Sequence, residues 1–334
     1  MSKNTPTKPL DTGKKTTVGG QALVEGVMMK GVSTGAMAVR KKDGEIFTEE
    51  WEIAPKRWYN KAPFIRGCFN FVQSLREGYS CMSKSAEISE EGEGDEDEEK
   101  PSKLDIWLDE HVSENGVEAI VGIISFLMVV AMIGVFFFVP SFLFSLIEGA
   151  VEKDISMWKA TFEGVVKLIL FIAYMAIIAQ IKMMRRVYEY HGAEHKTIAC
   201  YEAGKELTVD NVMPMCRFHP RCGTSFIIIT LIVSIIVTSI VPINPAEWWG
   251  IENKALGALL RVIFKLPLLP FEVGISYELI RLAGKYSNPI TKFFSAPGLW
   301  MQRLTTREPD ASQIECAIAA VKPCLPKVGE DDNW

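Results

Sequence analysis

From Phe226 to Ile243 the chain runs without one charged side chain, and most of its residues are Ile, Val or Leu. A run of that length and apolarity constrains the fold more than any other feature. It has company. Val117 to Ile147 carries one charge near its start, Glu118, and Val165 to Ile181 contains only Lys167. A bilayer crossing takes roughly 20 mostly apolar residues, since a helix rises 1.5 Å per residue through about 30 Å of hydrocarbon. Three such runs predict membrane helices, and a water-soluble bundle accommodates them poorly. A fourth apolar region, Ala255 to Ala283, carries Arg261, Lys265, Glu272, Glu278 and Arg281 and is interrupted by Pro267 and Pro270. Proline removes a backbone donor and disfavours helix just before it. This region therefore reads as an amphipathic or re-entrant piece to Leu266 and a helix from about Phe271.

Composition makes sense only through its distribution. Of 334 residues, 48% are hydrophobic and 23% charged, and the positive mean hydropathy of +0.14 reflects apolar residues gathered into runs. A collagen-like, disulfide-dense or wholly disordered chain is excluded. The formal charge of −5 is also local, because nine acids and no Lys or Arg lie between Glu87 and Glu99. Without that tract the chain is basic, and nothing in it predicts a nucleic-acid partner.

Basic residues orient the crossings, since loops on the cytoplasmic side carry excess Lys and Arg. Between residues 182 and 225 stand Lys182, Arg185, Arg186, Lys196, Lys205, Arg217 and Arg221. The connections 148–157 and 244–254 hold one each, Lys153 and Lys254. The expected fold is an α-helical polytopic membrane protein of about four transmembrane helices, the fourth Pro-broken. Both termini and the 182–225 loop then lie in the cytoplasm, and the lipid bilayer is the first partner.

The opening residues, 1–17, are polar and are expected to be disordered, with no secretory signal. Residues 18–80 predict a small α+β cytosolic domain. Gly19, Gly20, Gly26 and Gly31 mark extended chain with tight turns, and Asp43-Gly44 between two extended runs is a hairpin signal. Phe64, Cys68, Phe71, Val72 and Leu75 then share one side of a helix. Residues 81–103 read as an acidic disordered linker, since a block of like charge cannot bury itself. That tract, or the N-terminal domain, is where a protein partner would dock. The membrane domain is expected over 104–310 and a cytosolic tail over 311–334.

Chemistry concentrates in the 182–225 segment. On a helix, His191 and His195 share a face and can present two imidazoles to one ion, and Glu194 completes the order H-x-x-E-H. In zinc hydrolases a Glu beside the metal activates water. The second span can continue as helix through Glu189 and stop at Gly204. Gly192 costs helix propensity, so either the helix bends there or a group packs closely. Cys216-Arg217-Phe218-His219-Pro220-Arg221-Cys222 adds two thiols and a third imidazole. Cytosolic thiols stay reduced, which favours metal ligation or buried packing over disulfides. The competing reading is an exposed polar turn with Cys as apolar filler.

Gly19 to Met29, Tyr190 to Lys196 and Cys216 to Phe226 together resemble the signature of the YqhQ-like family of bacterial membrane proteins. The resemblance covers roughly residues 18–310 apart from the acidic tract. It implies a bacterial inner-membrane location, an expected metal-dependent enzyme activity, and His191, Glu194, His195, Cys216, His219 and Cys222 as metal-site candidates. Joined to the reading of the residues, this predicts a zinc-dependent hydrolase at the cytoplasmic face. His191 and His195 bind the ion, one further ligand comes from Cys216, His219, Cys222 or a distant Glu, and Glu194 is the catalytic base. A scaffold or biogenesis factor with a structural zinc site is the alternative. A small-solute transporter, suggested by Glu272 and Glu278, is another.

Overall fold

The computed structural model describes residues 14–55, 58–90, 114–151, 154–241, 243, 245–251, 253–286 and 288–334. Four strands, β1 (Gly19–Leu23), β2 (Gly26–Lys30), β3 (Thr34–Arg40) and β4 (Ile46–Glu52), form one antiparallel meander in sequence order. Nine helices of more than one turn are named here: α1 (Ile65–Glu90), α2 (Glu114–Ala150), α3 (Lys159–Ile178), α4 (Lys182–Glu202), α5 (Gly223–Ile240), α6 (Lys254–Lys265), α7 (Leu269–Lys285), α8 (Pro289–Thr305) and α9 (Ala311–Val321). The chain divides into two compact units, residues 93–170 and the remainder.

The middle strands β2 and β3 are buried on both faces and read as nearly continuous apolar runs, whereas β4 alternates half-buried residues with exposed ones. Val27, Met29, Ala36 and Ala38 pack with α4 and α9, while Met28, Met37 and Val39 face α1 through Ile88. Small residues on the first face, Ala36 and Ala38 against Ala317 and Ala320, let α9 lie close. The thiol of Cys316 donates to Ala38 O at 3.1 Å and that of Cys324 to Met29 O at 3.3 Å. Burial pushes both thiols up to about 12. Two of the seven cysteines are thereby assigned to packing.

The predicted turns are present. Gly44 takes φ +89 in the β3–β4 hairpin, and Glu25 takes φ +49 between β1 and β2, where its carboxylate pairs with Arg186 of α4. The boundaries differ from expectation in three places. Residues 311–334 are no tail, because α9 completes the core beneath the sheet. Residues 81–90 belong to α1 rather than to a linker, as Ile88 anchors that turn against β1–β3. Residues 14–17 are held by the far end of the sequence: Thr16 Oγ1 donates to Asp332 at 2.7 Å and Thr17 N–H to Asp332 O at 2.6 Å. Contacts across some 300 residues leave no local signature. The rest of the expected disordered stretch and of the acidic linker lies outside the described residues.

Among the described residues, three helices are long and apolar enough to cross a membrane, over Phe126–Ala150, Ser156–Ile178 and Gly223–Ile240. The fourth region is not one of them. It breaks at a 3-10 turn, Leu266–Leu268, between α6 and α7, close to where Pro267 and Pro270 predict the break. Its carboxylates have partners: Glu272 accepts a hydrogen bond from Ser234, and Glu278 accepts from Arg66 Nε at 2.7 Å and from Phe64 N–H at 3.2 Å. In the unit of residues 93–170, Ser141 donates to Glu163 at 2.7 Å and Phe144 meets Phe162 at 5.7 Å, so α2 and the first half of α3 form a helical hairpin.

Candidate metal centre

The chemistry-bearing helix, α4, starts after a break at 179–181 and ends at Gly204 with φ +67, so it is separate from the second span. It continues as one helix through Gly192. A Cβ at that position would stand 1.9 Å from the carbonyl oxygen of Arg307, so a closely packed backbone is the reason for glycine. The crossing segment is fastened by Arg307 N–H to Tyr188 O at 2.8 Å and by Arg307 Nη2 to Ala179 O at 2.9 Å. This approach brings Thr305 O within 2.8 Å of His191 Nδ1.

A second loop returns along the same helix. Lys196, buried, reaches Met213 O at 2.7 Å and Glu308 at 2.6 Å. Gln302 of α8 then clamps the backbone of His219 from both sides, accepting from its N–H at 2.8 Å and donating to its carbonyl at 2.7 Å. The loop so shaped offers Arg217 O to His195 Nδ1 at 2.6 Å and sets Cys222 at the N-cap of α5.

Both imidazoles therefore donate Nδ1–H to a backbone carbonyl, which fixes the tautomer and leaves Nε2 as the ligating atom. His191 Nε2 lies 3.1 Å from Cys222 Sγ, and His195 Nε2 is buried with no hydrogen-bond partner. One ligand atom from each of His191, His195 and Cys222 falls within 4.8 Å of the others, all inside the protein. Tetrahedral zinc, with bonds of about 2.0 Å to nitrogen and 2.3 Å to sulfur, spaces neighbouring ligands at about 3.3–3.8 Å. The donor set and its outer hydrogen bonds fit such an ion.

Electrostatics point the same way. Burial opposes charge on Cys222, but the imidazoles of His191 and His195 beside it hold the thiol well below its usual range. Burial likewise opposes a charged His191, yet the Cys222 sulfur outweighs it and pushes the imidazole up to about 9. Glu194 is 4% exposed; its Oε2 has no hydrogen-bond partner, and burial pushes its carboxyl up. Gly20 of β1 donates its N–H to that carboxylate, and a Cβ on Gly20 would meet Glu194 Cγ at 3.2 Å and Met28 O at 2.4 Å. The glycine-rich first strand thus forms a wall of the site.

Two of the expected ligands stand apart. Cys216 is buried and its sulfur accepts Phe218 N–H at 3.4 Å, outside the three-residue group. His219 lies beside His195, ring centroids 5.6 Å apart and tilted by 39°, but its Nε2 faces Arg221 at 3.2 Å and Glu202 at 3.7 Å, themselves an ion pair. Burial holds His219 down at about 4. Because that lies below the ordinary 6.5, the folded state favours the neutral ring. The contribution is full above pH 6.5 and drains as pH falls toward 4, worth ~3 kcal/mol by linkage. Thermal unfolding followed across that window is expected to lose midpoint on acidification, and His219→Gln to flatten the slope. An unchanged slope in the variant contradicts the assignment.

Sequence reasoning missed the carbonyls of Thr305 and Arg217, the clamp at Gln302 and the wall at Gly20. Only Gly20 left a signal, the glycine-rich run. Comparison with solved structures finds no match. A protein of Bacillus subtilis (strain 168), described as "Uncharacterized protein YqhQ", is 36% identical over 316 residues, covering 92% of each chain. Residues 62–327 match the family described as "Protein of unknown function (DUF1385)". The chain belongs to that family.

Proposed function

We propose that this protein is a zinc-dependent hydrolase set in a bacterial cell membrane, with its metal centre on the cytoplasmic side. The observation that carries the reading is the buried, unpartnered Nε2 of His195 grouped with His191 and Cys222, while the buried carboxyl of Glu194, one oxygen unsatisfied, interacts electrostatically with all three. Three protein ligands with a fourth position for water define a catalytic rather than a structural zinc site. A bound zinc ion supplies Lewis acidity and water activation there. Glu194 takes the proton from the attacking water and returns it to the leaving group, and its raised carboxyl suits both transfers. Gly223 is exposed and Thr224 half-exposed beside Cys222, which supports an approach from the head of α5. The membrane setting is supported by the three long apolar helices, and the cytoplasmic side by the basic residues of α4 and the loop after it.

Glu194→Gln tests the role of the carboxylate. The variant is expected to keep its metal and to lose about 10²–10⁴-fold in turnover on whichever ester, amide or phosphoester the wild type cleaves in a substrate panel. Metal-loaded wild type inert across the panel, or a fully active variant, overturns the hydrolase reading. The closed, structural reading draws on the enclosure of His195, 1% exposed. It requires a fourth protein ligand, which coordination spectroscopy detects.

A further inference from the structure

A second polar site lies away from the metal centre, between α1 and α7. It is a cavity of about 190 Å³ lined by two guanidiniums, Arg66 and Arg281, and by six uncharged hydrogen-bonding side chains, with no Asp or Glu among the lining residues. Arg66 is neutralised by Glu278 through its Nε and Nη2, so the lining keeps the positive charge of Arg281. The donors are ordered. Asn60 donates to Asn70 at 3.2 Å and Asn70 donates to Tyr277 OH at 2.8 Å, which leaves the Tyr277 O–H itself to donate elsewhere. On the other wall Trp334 Nε1–H donates to Arg281 O at 3.1 Å, fixing that turn of α7. A cavity whose lining side chains carry a net positive charge and oriented donors suits an anion, and arginine with hydroxyl donors suits a phosphate.

The height of the cavity names the source of the phosphate. Ile280, the residue before Arg281, packs on Ile229 and Val233 of α5, and Gly284 one turn later abuts Arg221, which precedes that helix. Ile229 is six residues into α5, about 9 Å from its start. Arg281 therefore stands between the first turns of an apolar helix and its polar entry, the level of lipid head groups. On the chain either side of Asn60 and Arg66, Trp58 and Phe64 are 73% and 52% exposed, and Phe69, also exposed, stacks with Tyr59 at 4.3 Å. Phe64 packs on Gly274, farther along α7 toward the apolar side, and such exposed aromatics suit a membrane setting. α1 continues the apolar stripe with exposed Ile65, Val72 and Leu75, as a helix lying on lipid does.

We infer that this cavity binds the phosphate of an anionic phospholipid head group. The inference rests on the membrane reading of α5 and is independent of the metal centre. The test uses full-length protein released from phosphatidylglycerol or phosphatidylcholine nanodiscs and weighed by native mass spectrometry. Wild type is expected to retain phosphatidylglycerol about tenfold better than phosphatidylcholine, and Arg281→Gln to lose the preference. Tyr277→Phe, which removes one donor and little volume, is expected to weaken it several-fold should Arg281→Gln fail to fold. Metal content stays at the wild-type level in both, so failure here is distinguishable from failure of the hydrolase reading. Equal retention of the two lipids overturns the inference, as does an undiminished preference in a folded Arg281→Gln. Displacement of the lipid by millimolar inorganic phosphate assigns the cavity to a free anion and overturns it too.

Discussion

Gly192→Ala is expected to destabilise the protein by ~3 kcal/mol, the upper part of the range for forcing extra volume into a packed interior. Helix propensity alone predicts the opposite sign, a gain of about 1 kcal/mol for alanine in mid-helix. Packing wins because the atom in the way, Arg307 O at 1.9 Å, is backbone, and that backbone is tied to Tyr188 and Ala179. The strain does not stay local. Moving Arg307 moves Thr305 O, the acceptor that fixes the His191 tautomer, so metal affinity falls with stability. Thermal unfolding in detergent measures the first effect and metal titration the second. Gly134→Ala, at a position with open space around it, is the control and is expected to leave the midpoint unchanged or raised. A Gly192→Ala protein as stable as wild type removes the explanation of how α4 is placed.

The second large effect concerns the ligands. His195→Ala and Cys222→Ala are each expected to lower affinity for zinc by more than about a hundredfold, since losing an outer hydrogen bond alone costs 10–100-fold. Cys216→Ala and His219→Gln are expected to retain the ion, because neither side chain joins the three-residue group. The contrast separates the geometric site from the broader set of five that the sequence suggests. Affinity is expected to fall as pH is lowered, because zinc displaces the proton shared by His191 and Cys222. Loss of metal from Cys216→Ala alone, with Cys222→Ala still loaded, contradicts the arrangement.

Residue type and spacing made part of this legible. The pair His191 and His195, four apart, requires only a helix to share a face, and Lys182–Glu202 supplies it. The three long apolar helices follow from hydrocarbon thickness, and the break before α7 from Pro267 and Pro270. Choosing among Cys216, His219 and Cys222 was another matter. All three belong to one short segment, and what separates them is the clamp of Gln302 on His219, an interaction 83 residues away in sequence. The orienting groups of the imidazoles are backbone carbonyls, which any residue possesses, so composition cannot announce them. The reach of the N-terminal domain was hidden for a related reason. Middle strands buried on both faces need cover from two sides, and their second cover, α9, is encoded some 270 residues later. Gly20 and Gly192 bridge the two cases, visible as glycines but explained only by Glu194 and Arg307 beside them.

The central claim is that His191, His195 and Cys222 hold one metal ion and leave one position open. X-ray absorption at the zinc edge of the purified, zinc-loaded wild-type protein tests it most directly. The account predicts one zinc per chain with two imidazole nitrogens, a single sulfur at about 2.3 Å and one light oxygen-type neighbour. A second sulfur in the shell, a shell without sulfur, or a protein that takes up no zinc contradicts it.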